Sequence, residues 1–307
     1  MTHTVSIPAD VPRIMHQEFS TNYSVLTQNT GRLLLFVGDQ KIEHLNENFY
    51  GPSICPDANK PSHLFEIAQH GRIGAFAAHL GLIARFGHQY PHVNYVIKLN
   101  GKTNIIPKEA KDPSSHMLWS VDDVIHFKKN SGLQIRGVGY TVYLGSEYES
   151  QMLHEAAQIV YQAHTQGLVT ILWMYPRGKH VADERDGKLI AGAAGIAAAL
   201  GADFAKINPP RAHTVQQEAE LLRVAVEAAG NTKLICSGGS RVPEKEFLER
   251  SYYQLHEGGI AGNAIGRNIY QHSLTEAITF TQALSALIFD GKSVTEACTA
   301  YTRKEDS

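Results

Sequence analysis

Cysteine is scarce: the 307 residues contain only Cys55, Cys236 and Cys298. They are widely separated and odd in number, and no Cys-x-x-Cys pair occurs. That argues against a disulfide framework, a thiolate zinc site or a redox couple, and it suits a reducing cytoplasm. A charge surplus is also missing. Charged residues make up 19% and the formal net charge is −2, so there is no cationic track for a nucleic-acid backbone. No run approaches the length of a membrane span. The longest candidate, 189–202, is rich in Gly and Ala and bounded by Lys188 and Asp203, which predicts a helix packed on protein rather than lipid. The opening "MTHTVSIPAD" has no basic segment followed by an apolar core, so no secretory signal is expected. Among 16 histidines there is no His-Glu-x-x-His pattern. Pairs such as His88 with His92, or Glu43 with His44, lack a third ligand at useful spacing, so neither metal nor cofactor is expected. A G-x-S-x-G nucleophile stretch is absent as well.

What is present is a rhythm. Short runs rich in Val, Ile, Leu and aromatics recur about every thirty residues, with helix-period segments between them. The strand candidates are "LLLFVG", "IGAFAA", "NYVIKL", "GVGYTVYL", "LVTILWM", "DFAKI", "KLICS" and "GIAGNAI". Eight parallel strands of this kind close a (β/α)8, or TIM, barrel; a doubly wound open sheet gives the same alternation. "SEYE" (146–149) and "TVQQ" (214–217) predict capping boxes. Leu153, Ala156, Ala157 and Val160 predict the sheet-facing stripe of the helix after the first. Gly167 and Gly230 predict helix C-caps. With no linker-like run, the reading is one barrel domain: an N-terminal extension over 1–30, the barrel over 31–290 and a C-terminal tail over 291–307, with a long loop at 101–117.

In such a barrel the reactive groups sit at the C-terminal strand ends, and side chains alternate between the axis and the helix layer. In "DFAKI" this points Phe204 and Lys206 inward. In "ILWMYPRG" it groups Ile171, Trp173 and Tyr175, and on the first strand it groups Leu35, Val37 and Asp39. An amine, a phenol and a carboxylate then meet at one mouth. A lysine in a partly apolar site is available as the neutral amine that attacks a carbonyl, and the resulting iminium is an electron sink. Plainer alternatives stand beside this: Lys206 paired with a carboxylate, Asp39 capping a turn, Trp173 and Tyr175 filling the barrel. Two glycine-rich stretches, "SGGSRV" (237–242) and "NAIGRN" (263–268), end the seventh and eighth strands, where many barrels bind phosphate. Gly238, Gly239, Ser240 and Gly266 are candidate amide donors, with Arg241 or Arg267 as counter-charge.

Taken in order, "GDQKIEH", "LWMYPRG", "GADFAKI", "CSGG" and "AIGRN" resemble the archaeal-type class I fructose-bisphosphate aldolases and their DhnA-like relatives, from about Leu33 to Tyr270. The resemblance implies a metal-independent aldolase that forms a Schiff base on Lys206. It assigns proton transfer to Tyr175 and a supporting role to Asp39. Trp173 and Arg177 would contact a sugar phosphate, with Ser237, Gly238, Gly239, Gly266 and Arg267 around its phosphate. It also implies a multi-subunit ring. Lys41 and the Pro209-Pro210 pair depart from the family pattern, which predicts an altered pocket floor and a reshaped substrate loop. Two rivals follow: a Schiff-base enzyme acting on another ketose phosphate in an amino-acid semialdehyde or signalling-sugar pathway, and a non-catalytic sugar-phosphate binder.

Overall fold

The computed structural model describes residues 4–302. Eight strands, β1 (Leu33–Val37), β2 (Ala75–His79), β3 (Tyr95–Lys98), β4 (Ile135–Leu144), β5 (Val169–Pro176), β6 (Phe204–Ile207), β7 (Lys233–Ser237) and β8 (Gly262–Ile265), form a closed parallel barrel in sequence order. The helices are α1 (His16–Leu26), α2 (Gln40–Glu43), α3 (Pro61–His70), α4 (Leu80–Phe86), α5 (Val121–Ser131), α6 (Glu149–Thr165), α7 (Gly187–Ala199), α8 (Val215–Ala229), α9 (Glu244–His256), α10 (Arg267–Tyr270), α11 (Leu274–Ile288) and α12 (Val294–Thr302). Each expected strand run overlaps one observed strand, and closure decides against the open sheet. Strand residues are buried almost throughout because helices cover one face and packed side chains the other.

The register fixes which side chains point inward. Lys206 pairs with Trp173 on one side and Ile235 on the other, Trp173 with Thr141, Tyr175 with Tyr143, and Lys98 with His79 and Gly139. Phe204 shares the inward face with Lys206 but lies at the opposite end of β6. Tyr23 of α1 stacks on it at 5.4 Å between centroids, and Asn22 donates to the Gly167 carbonyl at 2.8 Å. Helix α1 therefore closes the N-terminal end of the barrel.

Several local expectations are corrected. "SEYE" does not cap α6, whose N-cap is Tyr148 with no side-chain bond. Ser146 instead donates to the Pro113 carbonyl at 2.6 Å, spending its hydroxyl on the 101–117 loop. Thr214 does cap α8, accepting from the Gln217 amide at 3.2 Å, but the Gln217 side chain takes the His213 N–H, so the box is not reciprocal. On α6 the buried stripe is Met152, Ala156, Ile159, Val160 and Ala163; Ala157 is exposed, and the helix starts at Glu149, two residues later than a cap at Ser146 would give. Gly167 and Gly230 follow their helices with φ of +68° and +57°. The expected tail holds α12, capped reciprocally by Ser293 and Glu296. Residues 1–3 of the expected extension and 303–307 of the tail lie outside the described residues.

Candidate active site

At the C-terminal end of the barrel a cavity of about 130 Å³ is lined by residues from five strand ends, among them Asp39, Tyr175, Arg177, Lys206, Ser237, Gly238, Gly239, Gly266 and Arg267. Apart from Trp173, Ser240 and Arg241, every residue expected at the site lies on this wall. The ring of Trp173 lies against it from below, 5.3 Å from the Lys206 Nζ. That ring fits because β4 has glycine opposite: a Cβ on Gly139 would fall 2.2 Å from the indole.

Lys206 is 4% exposed and Asp39 3%. Burial depresses the pKa of the Lys206 ammonium, with the Asp39 and Glu43 carboxylates opposing the shift, so the neutral amine is favoured relative to an exposed lysine. For Tyr175, burial pushes the phenol well above its ordinary value, and Glu43 and Asp39 push the same way. The resting phenol is a proton donor. The Arg177 guanidinium stands 5.4 Å from the Tyr175 ring and 5.6 Å from that of Tyr143, and it is tied to Glu184 at 2.9 Å.

The glycine-rich loops are folded by Asn268, whose side-chain amide donates to the Gly238 and Ser240 carbonyls at 3.0 and 3.1 Å. Gly238 is not an available donor, because its N–H is used by the Ala264 carbonyl at 3.1 Å. Between the two counter-charge candidates the geometry chooses Arg267. Arg241 is turned away, donating to the Ser53 carbonyl at 2.8 Å and facing His272. The Ser237 hydroxyl donates to Asn208 at 2.8 Å.

Both departures from the family pattern leave the cavity wall untouched. Lys41 reaches the Asn59 carbonyl at 3.2 Å and lies 3.9 Å above the Phe49 ring, fastening the loop outside the pocket. The Pro209 and Pro210 carbonyls are held by Arg185 at 2.8 and 3.2 Å.

Sequence reasoning missed Glu43 and His44 as wall residues, and also Gln40, Asn208, Tyr143 and Lys98. Asp39 and Glu43 stand four apart at the start of a helical turn, so both reach the same side. Glu43 accepts from the Tyr143 hydroxyl at 3.2 Å. Lys98 is wholly interior on β3. Among the described residues no group of three His, Cys, Asp or Glu side chains is placed to hold a metal ion, and no helix is long and apolar enough to cross a membrane.

Comparison with known proteins places this geometry. A family model described as DeoC/LacD family aldolase matches residues 33–272. A relative from Methanocaldococcus jannaschii, named fructose-bisphosphate aldolase/6-deoxy-5-ketofructose 1-phosphate synthase, is 48% identical over 297 residues, covering 97% of this chain and 94% of the relative. The class 1 fructose-bisphosphate aldolase of Halobacterium salinarum is 32% identical over 87% of this chain and 94% of its own. Among solved structures, the fructose-bisphosphate aldolase of Slackia heliotrinireducens is 48% identical with a TM-score of 0.96, over 99% of this chain and 96% of that one. An archaeal fructose-1,6-bisphosphate aldolase, with its catalytic lysine covalently bound to the carbinolamine intermediate, is 29% identical with a TM-score of 0.75, over 88% and 99%. By the extent of these matches and the site they surround, the chain belongs to the DeoC/LacD aldolase family.

Proposed function

We propose that this protein is a class I aldolase that cleaves and forms a ketose phosphate, fructose 1,6-bisphosphate foremost, through a Schiff base on Lys206. The observation that carries this reading is the meeting of a buried lysine, a protonated phenol and a carboxylate in one cavity beside Gly239, Gly266 and Arg267. The Lys206 amine adds to the C2 ketone, and the carbinolamine loses water with Asp39 assisting. The iminium accepts the electrons of the breaking C3–C4 bond as an enamine. Once the iminium has formed, its charge and those of Arg177 and Arg267 let the Tyr175 phenol release its proton to solvent at the cavity mouth, and the resulting phenolate takes the C4 hydroxyl proton as the C3–C4 bond breaks. In condensation the phenol returns it to the aldehyde oxygen. Protonation of the enamine at C3 and hydrolysis free the amine. Arg267 and the Gly239 and Gly266 amides hold the C1 phosphate, with Ser237 beside them, and Trp173 forms the floor. Three scattered cysteines support a cytoplasmic setting.

Borohydride reduction in the presence of dihydroxyacetone phosphate, with a chelator added, tests this. Mass spectrometry is expected to find the reduced adduct on Lys206 alone, and turnover is expected to persist in the chelator. An adduct on another lysine, or none, would overturn the assignment.

One observation favours a broader acceptor range. Beyond the catalytic trio the cationic wall residues are Arg177 and Arg267: Arg177 is already paired with Glu184 and feels the Glu43 charge, whereas Arg267 forms no ion pair among the described residues. A single dianion site suits a ketose 1-phosphate with an uncharged tail, and the second activity named for the M. jannaschii relative makes a product with one phosphate. Competition between glyceraldehyde 3-phosphate and a small uncharged ketoaldehyde for the enamine measures the preference. Exclusive use of the phosphorylated aldehyde would remove this reading.

A further inference from the structure

The reaction as described makes no use of Lys98, the second lysine of the barrel interior. Alternation along β3 turns it inward, between His79 of β2 and Gly139 of β4. It is 1% exposed. Asn100 takes two of its N–H groups, through its backbone carbonyl at 2.9 Å and its side-chain oxygen at 2.6 Å. Both acceptors are neutral, and among the described residues Lys98 forms no ion pair. A buried ammonium without a counter-ion is costly, and a residue such as methionine would fill similar space without that cost.

Its surroundings suggest what it does. The Lys98 Nζ lies 5.3 Å from the centroid of the Trp173 ring, as does the Lys206 Nζ. The two nitrogens are thus no more than twice that distance apart, in an interior where like charges are weakly screened. The other charged or titratable groups acting here are Asp39, Glu43, His79 and Arg267. The two carboxylates attract both lysines and so do not distinguish them. His79 is uncharged near neutrality, because burial and then the Lys98 charge hold its pKa at about 4. Arg267 also disfavours the charged form of Lys206.

We propose that Lys98 is a positioning residue for Lys206: its ammonium, pinned by Asn100 beside the shared Trp173 ring, biases the Schiff-base lysine toward the uncharged amine. Burial brings Lys98's own pKa down to about 8, with Asp39 and Glu43 opposing the fall and the Lys206 charge adding to it. The repulsion is mutual, so one of the two gives up its proton, and at pH 7 Lys98 is mostly charged while Lys206 must be neutral to attack. This inference rests on Lys206 being the Schiff-base lysine.

The test is the pH dependence of two quantities, kcat/KM and the rate of borohydride trapping at Lys206, in wild type, Lys98→Met and Lys98→Arg. Removing the charge is expected to move the acid limb of both profiles upward by roughly one pH unit. Trapping at pH 6 then slows by about tenfold, the ratio that one unit represents, with near wild-type rates at pH 9. Lys98→Arg keeps the charge and is expected to restore most of the wild-type profile. If Lys98→Met fails to fold, Lys98→Gln removes the charge while retaining a donor for Asn100, and the same displacement is expected. Profiles unmoved along the pH axis, or lowered by one factor at every pH, would overturn the proposal and leave Lys98 a structural support for Asn100. Absence of any Lys206 adduct in wild type would instead defeat the underlying site reading.

Discussion

At the scale of single residues, the proposed mechanism has Tyr175 divide bond formation at Lys206 from carbon–carbon cleavage. A Tyr175→Phe protein keeps the ring, the Trp173 floor and the amine but loses the proton carrier. Its kcat is expected to fall by about 10²- to 10⁴-fold, the usual range for removing an acid/base group, while borohydride still traps dihydroxyacetone phosphate on Lys206. Steady-state rates and trapped fraction measure the two halves, and loss of trapping alongside turnover would show that Tyr175 acts before cleavage. Lys206, Tyr175 and Asp39 were legible from the sequence because alternation along a strand is a local rule. The same rule applied to β3 and β4 places Lys98 and Tyr143 in the interior, and i to i+4 spacing after Asp39 places Glu43 on the wall. What the sequence hid was competition for groups: the Gly238 amide taken by Ala264, and the Arg241 side chain taken by Ser53 and His272. Partners so far away along the chain leave no periodic trace.

At the scale of elements, β6 works at both ends. Lys206 serves the mouth, whereas Asp203, the acidic residue of "GADFAKI", serves the base. It accepts from the Thr170 amide and hydroxyl at 2.8 and 3.0 Å and faces His164 at 3.2 Å. The other ring nitrogen of His164 meets both Asp10 carboxylate oxygens at 2.9 Å, buckling the N-terminal segment to the barrel. Burial lowers the His164 pKa, but the two carboxylates outweigh it and the net shift is upward from 6.5. A raised folded-state value means the buckle's charge-linked stabilisation is complete below pH 6.5 and is lost as pH rises through that higher value. Denaturant melts between pH 6 and 9 are therefore expected to show a decline in wild type that is blunted in His164→Leu. At pH 6 the variant is expected to be about 3 kcal/mol less stable, the scale for breaking a buried ionic cluster. Parallel pH curves for the two proteins would show that the buckle carries no linked proton. Helix starts were less legible than strands: the Ser146 hydroxyl has two possible uses, and only the folded 101–117 loop decides between them.

For the whole molecule, the repeated strand-and-helix rhythm was legible because each βα unit is local. Closure into a ring was not, since alternation describes an open sheet equally well. Assembly is a further expectation at this scale. Tyr161 on α6, Leu189 on α7 and Val224 on α8 are 60%, 42% and 55% exposed, apolar side chains on the outer helix layer that can serve subunit contacts. Light scattering is expected to return a multiple of the 33.8 kDa chain mass; the mass of a single chain at working concentration would contradict it.

The helix that seals the lower rim turns the barrel into a room with one door. Whichever fragment stays bonded to the lysine sits deepest, so after scission the free aldehyde must leave first and the tethered three-carbon piece last. Run in reverse, the ketone partner must enter and become attached before its aldehyde can follow, so the order of traffic is imposed by architecture rather than by relative affinity.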